Sequence, residues 1–318
     1  MPVVNGYHVT KITMDSLLKH LVVDFRKFII IVSGTEQKSL IDFLMKISQY
    51  GYIGFPKEKF HIIFINQQYA LSWGESFNLM TSFLEKDEDI LYTANNNLFS
   101  KNFIFPLLRD AFERAYSSDV LGVMPITALD VDSDVLRNYY ERQVRPYVLD
   151  YYSPEETRKE IDAFFMRMSK SVGSSSIGAL GKDFDTQAEA LVIQNNGKVS
   201  LGSFADCLYL KHECLNIVGF IDEYFSRANG INGGCGDEWD YTYRIFSCQK
   251  LLIKSLDSIY LHLAYGFTSR CNFERQRAME INGEKFKKKY DKDESQSICG
   301  FDVSYKSTTF DDQKFVMV

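Results

Sequence analysis

Five glycines and five acids crowd into residues 219–244, GFIDEYFSRANGINGGCGDEWDYTYR. The acids come as two groups, Asp222-Glu223 and then Asp237, Glu238 and Asp240, on either side of a loop rich in glycine. Glycine lets a backbone turn with positive φ and approach a ligand closely. Acids opening a helix sit at the positive end of its dipole. Asp237, Asp240 and Arg244 are three and four residues apart, so they share one helix face, while Glu238 points elsewhere, toward the loop mouth. Carboxylates held this way suit general-base chemistry. A capped helix after a flexible loop is the plain structural alternative.

The elements that must position these groups follow from the apolar pattern. Residues 28–32 (FIIIV) and 60–65 (FHIIFI) are continuous apolar runs of the kind found in buried parallel strands. Between them residues 39–50 have helical periodicity, with Leu40, Phe43, Leu44 and Ile47 on one face. Strand, helix, strand predicts a parallel sheet with ligand contacts at the strand carboxyl ends. There the chain carries Ser33, Gly34 and Thr35, and then Asn66. A third strand at 89–92 runs into Asn95-Asn96-Asn97, a helix follows at 103–116 with Phe105, Leu108, Phe112 and Ala115 on its buried face, and 120–125 is another strand. Residues 190–195 and 199–201 read as a hairpin around Asn196-Gly197. Residues 204–210 form a strand, 238–250 a helix, 251–261 one or two strands ending beside His262, and 281–293 a helix. Residues 130–185 form an insert with two helices, at 133–143 and 154–171. No GxGxxG or GxxxxGK[ST] follows the first strand, which argues against a nicotinamide-binding domain and a P-loop NTPase.

The 219–244 stretch resembles the late motif of inverting GT-A glycosyltransferases, above all glycosyltransferase family 2, and the galactosyltransferase families close on a similar pattern. That motif reads Gly, hydrophobic, Asp-Glu, Phe, a gap, Gly, Glu-Asp, any residue, Asp, and Arg four residues on. Here Asp237-Glu238 stand where the family has Glu-Asp, with Asp240 and Arg244 in place. Gly74 with Asn78 resembles the family's helix under the donor phosphates. Residues 94–98 (ANNNL) resemble its Asp-x-Asp turn, with Asn97 where Asp holds the metal. The resemblance implies one GT-A type α/β domain over residues 1–318, a Rossmann-like, mostly parallel sheet flanked by helices. The helical insert spans about 130–185, and a basic helix and tail span about 270–318. It implies Glu238 or Asp237 as catalytic base, and Ser33, Gly34, Thr35, Asn66, Asn95 and Asn96 on the donor. Asn97 and His262 would lie at a metal, and Trp239, Asp240 and Arg244 on the acceptor side, Trp239 stacking on the acceptor and Asp240 with Arg244 bracing the loop. A nucleotide-sugar is the implied donor substrate and a divalent cation, manganese or magnesium, the implied cofactor. A divalent cation prefers anionic oxygen ligands, so Asn97 predicts a weakened metal site.

Composition bounds the partners. With 45% apolar and 25% charged residues the chain is of ordinary globular type. A net charge of −6 gives no global attraction to nucleic acid or membrane. No run of eighteen apolar residues predicts a membrane span. Six cysteines without a CxxC pair fit free thiols in a cytoplasmic protein. The expected activity is inverting transfer of a sugar to an acceptor that the sequence does not identify: saccharide, lipid, protein or modified DNA. The rival expectation is a GT-A-like nucleotide- or sugar-binding or scaffold protein without turnover, prompted by Asn at both 66 and 97.

Overall fold

A computed structural model describes residues 1–3, 6–21, 23–35, 37–65, 71–116, 119–127, 197–202, 204, 207–225, 227–228, 231–232, 236–262, 272–290 and 315–317. Asn66, the insert at 130–185, the first arm of the hairpin at 190–195 and the tail from 291 to 314 lie outside the described residues.

The first half of the chain builds a four-stranded sheet. Strands β1 (Pro2–Val3), β2 (Phe28–Ser33) and β3 (Phe60–Ile65) run parallel, and β12 (Phe315–Met317) adds antiparallel to β3. Helices α1 (Tyr7–His20) and α2 (Lys38–Tyr50) connect them. The apolar runs of β2 and β3 are buried almost throughout, as expected of strands covered on both faces. Helix α2 buries Leu40, Leu44 and Ile47 against that sheet.

A second sheet has the order β4-β8-β6-β11-β5, with β7 paired on β11. Its strands are β4 (Ile90–Thr93), β5 (Asn97–Phe99), β6 (Val120–Thr127), β7 (Val199–Leu201), β8 (Cys207–Leu210) and β11 (Leu251–His262). A small ribbon pairs β9 (Arg227–Ala228) with β10 (Ile231–Asn232). The protein is therefore mixed α/β, but the expectation of one mostly parallel sheet is corrected. Among the described residues three ladders are parallel, β1/β2, β2/β3 and β6/β11, and six are antiparallel. An apolar run records burial on both faces, not the direction of its neighbour, so strand polarity was not encoded in the pattern that was read.

The remaining helices pack on these sheets: α3 (Trp73–Thr81), α4 (Ile104–Asp110) with a π-helical turn at Ala111–Ala115, α5 (His212–Val218), α6 (Asp237–Ser247) and α7 (Asn272–Tyr290). The face expected for α4 is also corrected. Phe105 and Phe112 are 65% and 57% exposed, while Ile104, Leu107 and Ala111 are buried. Both stripes are apolar and one residue apart, and the sheet decides which is used. The largest core cluster joins α3, α5 and α6 to both sheets through Phe77, Tyr92, Leu208, Tyr241 and Ile245. Ile221 and Tyr241, with Ile245 just beyond, bring the two ends of the 219–244 stretch into this cluster.

Candidate active site at the start of helix α6

The site begins with Gly219, which ends α5 at φ 81, a left-handed backbone that other residues adopt only with strain. Asn78 of α3 then grips the chain like a strand partner. Its Nδ2 donates to Ile221 O at 2.8 Å, and its Oδ1 accepts from Ile221 N at 2.9 Å. Helix α3 starts with a capping box between Ser72 and Glu75. The N–H of Leu71, just before it, donates to Ser33 Oγ at the carboxyl end of β2 (3.0 Å). The α3 N-terminus therefore links the end of β2 to the glycine-rich motif.

Helix α6 has two faces. Asp237, Asp240, Tyr241, Arg244 and Ile245 are buried. Glu238, Trp239, Thr242, Tyr243 and Phe246 face outward along a groove, and Phe204 and Phe286 of α7 complete its wall around a volume of about 420 Å³. Glu238 is partly buried, and Trp239 and Tyr243 are each 40% exposed. The sequence pointed to Glu238 and Trp239 but missed the other aromatics. Their signal was the 239, 243, 246 spacing, four and three residues apart on one helix face.

Asp237 lies where two helices begin. Its Oδ2 accepts the Gly74 N–H of α3 at 3.0 Å and its Oδ1 the N–H of Glu238 at 3.1 Å. Burial pushes its carboxyl up to about 7, opposed by backbone N–H groups, that of Gly74 first. Asp237 is 2% exposed and both of its oxygens are engaged, so Glu238 is the acid that meets the groove.

Asp240 and Arg244 sit inside the protein. Arg244 Nε donates to Asp240 Oδ2 at 2.8 Å, and its two terminal nitrogens donate to Val218 O (2.7 Å) and Phe220 O (2.8 Å). Lys289 Nζ donates to Asp240 Oδ1 at 2.6 Å and to Asp222 Oδ2 at 2.8 Å, and the Tyr290 hydroxyl also donates to Asp240. Burial works against the Arg244 charge, and Asp240 first, with Tyr241 and Tyr290, together more than offset it. Burial likewise works against the Asp222 carboxylate, and Lys289 holds it below its ordinary range. Asp240 and Arg244 are therefore closed off from the groove and from an acceptor in it. They brace the motif from within, because a charge removed from water must be paired on every side. The far end of the glycine loop is fixed by close approach. A Cβ on Gly236 would come within 2.8 Å of Asn282 Cβ, and Asn282 Nδ2 donates to Phe225 O at 2.9 Å.

The Asn95–Asn97 turn is packed under α1. Asn95 Nδ2 donates to Thr10 Oγ1 (2.9 Å), and Thr13 Oγ1 donates to Asn95 O (2.8 Å) and accepts from Asn97 N (3.0 Å). Asn96 is buried, and Asn97 is fully so, its Nδ2 on Thr93 Oγ1 (3.0 Å) and its Oδ1 without a hydrogen-bond donor. The Cα of His262 lies opposite that of Asn97 at the end of β11. The described residues, however, contain no group of three His, Cys, Asp or Glu side chains able to hold a metal. One neutral, sealed carbonyl oxygen does not fit a resident divalent cation. Gly34 turns at φ 62 after β2, and Thr35 Oγ1 accepts from Gln37 N at 3.2 Å. Ser33, Gly34, Thr35 and Asn97 do not line the groove of Glu238.

Comparison with models of known protein families and with curated protein sequences gave no match. The site must stand on its own geometry. Among the described residues no helix is long and apolar enough to cross a membrane.

Proposed function

We propose that the chain is a glycosyltransferase that moves a sugar from a nucleotide-sugar to an acceptor hydroxyl or amine with inversion. One observation carries the reading most. Helix α3 starts at the carboxyl end of β2, and its Gly74 N–H meets Asp237 at the start of α6, beside the groove that Glu238 lines. Two helix N-termini converging there favour negative charge, as a diphosphate brings. The GT-A resemblance of residues 219–244 supplies the reaction class.

In this reading Glu238 takes the proton of the acceptor group. The freed electron pair attacks the anomeric carbon as the bond to the diphosphate oxygen breaks, and the nucleoside diphosphate leaves. A partly buried carboxylate in an aromatic groove keeps enough basicity for this step. Asp237 acts behind it, fixing the α6 start against α3. Trp239 offers a flat apolar face to a ring on the acceptor side. No step is assigned to a metal, since the described residues do not fit one.

The test is nucleotide release over a panel of nucleotide-sugars for the unaltered chain, Glu238→Gln and Trp239→Ala. Loss of release in Glu238→Gln with folding retained supports the assignment. Release equal to that of the unaltered chain removes it. A second reading, a nucleotide- or sugar-binding protein without turnover, is favoured by the sealed Asn97 turn. Thermal stabilisation by a nucleoside diphosphate with no release from any donor would select it.

A further inference from the structure

A separate cavity of about 370 Å³ lies between the two sheets, lined by Phe28 and Ile29 of β2 on one side and by Ile90, Leu91 and Thr93 of β4 on the other. It shares no lining residue with the Glu238 groove. Its body is apolar, walled by Leu17 of α1 and Leu21 just past its end, Phe28, Leu91, Leu108 of α4 and Phe112 of the π-helical turn. A volume of this size is in the range of small-molecule sites. Its charged wall holds Asp24, Asp87, Glu88 and Asp89 with Arg26 and Lys27, and counting the ion-pair partners just behind it, Lys59 on Asp24 and Glu85 on Lys27, acids outnumber bases five to three.

Glu88 is the informative member. It is only 8% exposed. Its Oε2 accepts from Lys27 Nζ (3.0 Å) and from Glu85 N (2.9 Å). Its Oε1 is buried without a hydrogen-bond donor, and the Arg26 guanidinium is 3.7 Å away, too far to supply one. Burial works against this carboxylate, but the Glu85 N–H and Lys27 hold it charged at neutral pH. A buried charged oxygen lacking a donor is costly, and an apolar void beside it stays poorly filled by water. We propose that this cavity binds a small amphipathic amine, its apolar body between α1 and α4 and its ammonium group donating to Glu88 Oε1. An ammonium supplies the missing donor and offsets the surplus acids, which a neutral or anionic head does not.

The test compares hexylamine, 1-hexanol and hexanoate at equal millimolar concentrations, by thermal shift and titration calorimetry on the full chain. At ten times its Kd, hexylamine should raise Tm by about 2 °C, ahead of hexanol and with no rise from hexanoate. Leu108→Trp fills the cavity and should abolish the shift; Leu21→Trp serves if the first variant does not fold. Glu88→Gln should bring hexylamine and hexanol to within about twofold of each other, since the charge that separates them is gone. No shift with hexylamine, a shift matched by hexanol or hexanoate, or a shift that persists in a folded filled variant overturns the proposal. The three-ligand comparison decides even if neither tryptophan variant folds.

Discussion

Two turns of this protein look alike in sequence terms, each a short polar run at the edge of an apolar element, yet they are built differently. At the start of α6 the polar groups are charged, and each buried charge has its own partners: Gly74 N–H on Asp237, and Arg244, Lys289 and Tyr290 on Asp240. An open groove runs along the outer face of the same helix. At Asn95–Asn97 the polar groups are neutral, satisfied mostly by Thr10, Thr13 and Thr93, and sealed under α1. The difference teaches that a carboxylate open to a groove needs both a compensated interior behind it and a way out to solvent. Only the α6 start has both.

Four changes would break or sharpen this contrast. Arg244→Met removes one of the three donors on the buried Asp240 carboxylate and leaves the Val218 and Phe220 carbonyls without theirs, so it should cost about 3–5 kcal/mol in urea unfolding. A loss below about 1 kcal/mol would mean the interior of α6 is not a compensated charge network. Asn97→Asp places a charge in the sealed turn and should cost about 2–3 kcal/mol. If manganese restores that stability selectively in the variant, the turn holds cations after all and the two sites are more alike than drawn here. Glu238→Gln should lower nucleotide release at least about 100-fold, with unfolding almost unchanged because the side chain meets the groove. Trp239→Ala should be smallest in stability, within about 1 kcal/mol, with its effect read in acceptor KM instead.

A pH profile tests the same contrast without removing any contact. The folded Asp237 carboxyl titrates near 7, above the roughly 4 of an unfolded aspartate. A raised folded pKa gives a contribution that is complete below about pH 4 and is lost as pH rises toward 7. Stability measured at pH 5 and pH 8 should therefore fall with pH by more in the unaltered chain than in Asp237→Asn. Equal slopes would place Asp237 in a wetter setting than its burial indicates.

Much of the site was legible because local spacing carries it. The three- and four-residue separation of Asp237, Asp240 and Arg244 put them on one face, and they are on one face. The opposite orientation of Glu238 followed from the same geometry. What spacing did not carry was which face would be covered. Asp240 and Arg244 were expected toward an acceptor, but Lys289 and Tyr290, about 50 residues later, close over them. The aromatic groove needed Phe204 and Phe286 from distant elements, and α4 chose Ile104 over Phe105 only because of the sheet beside it.

The sequence by itself determined the elements: strands at 28–33 and 60–65, the long strand at 251–262, the helix from Asp237 and the glycine turns that frame it. These rest on periodicity, burial and backbone freedom, all properties of neighbours along the chain. Strand direction, the split into two sheets, the partners of each buried charge and the seam cavity were decided only in three dimensions. They depend on which of several equally apolar surfaces meet, and that choice belongs to the whole packed molecule rather than to any one segment.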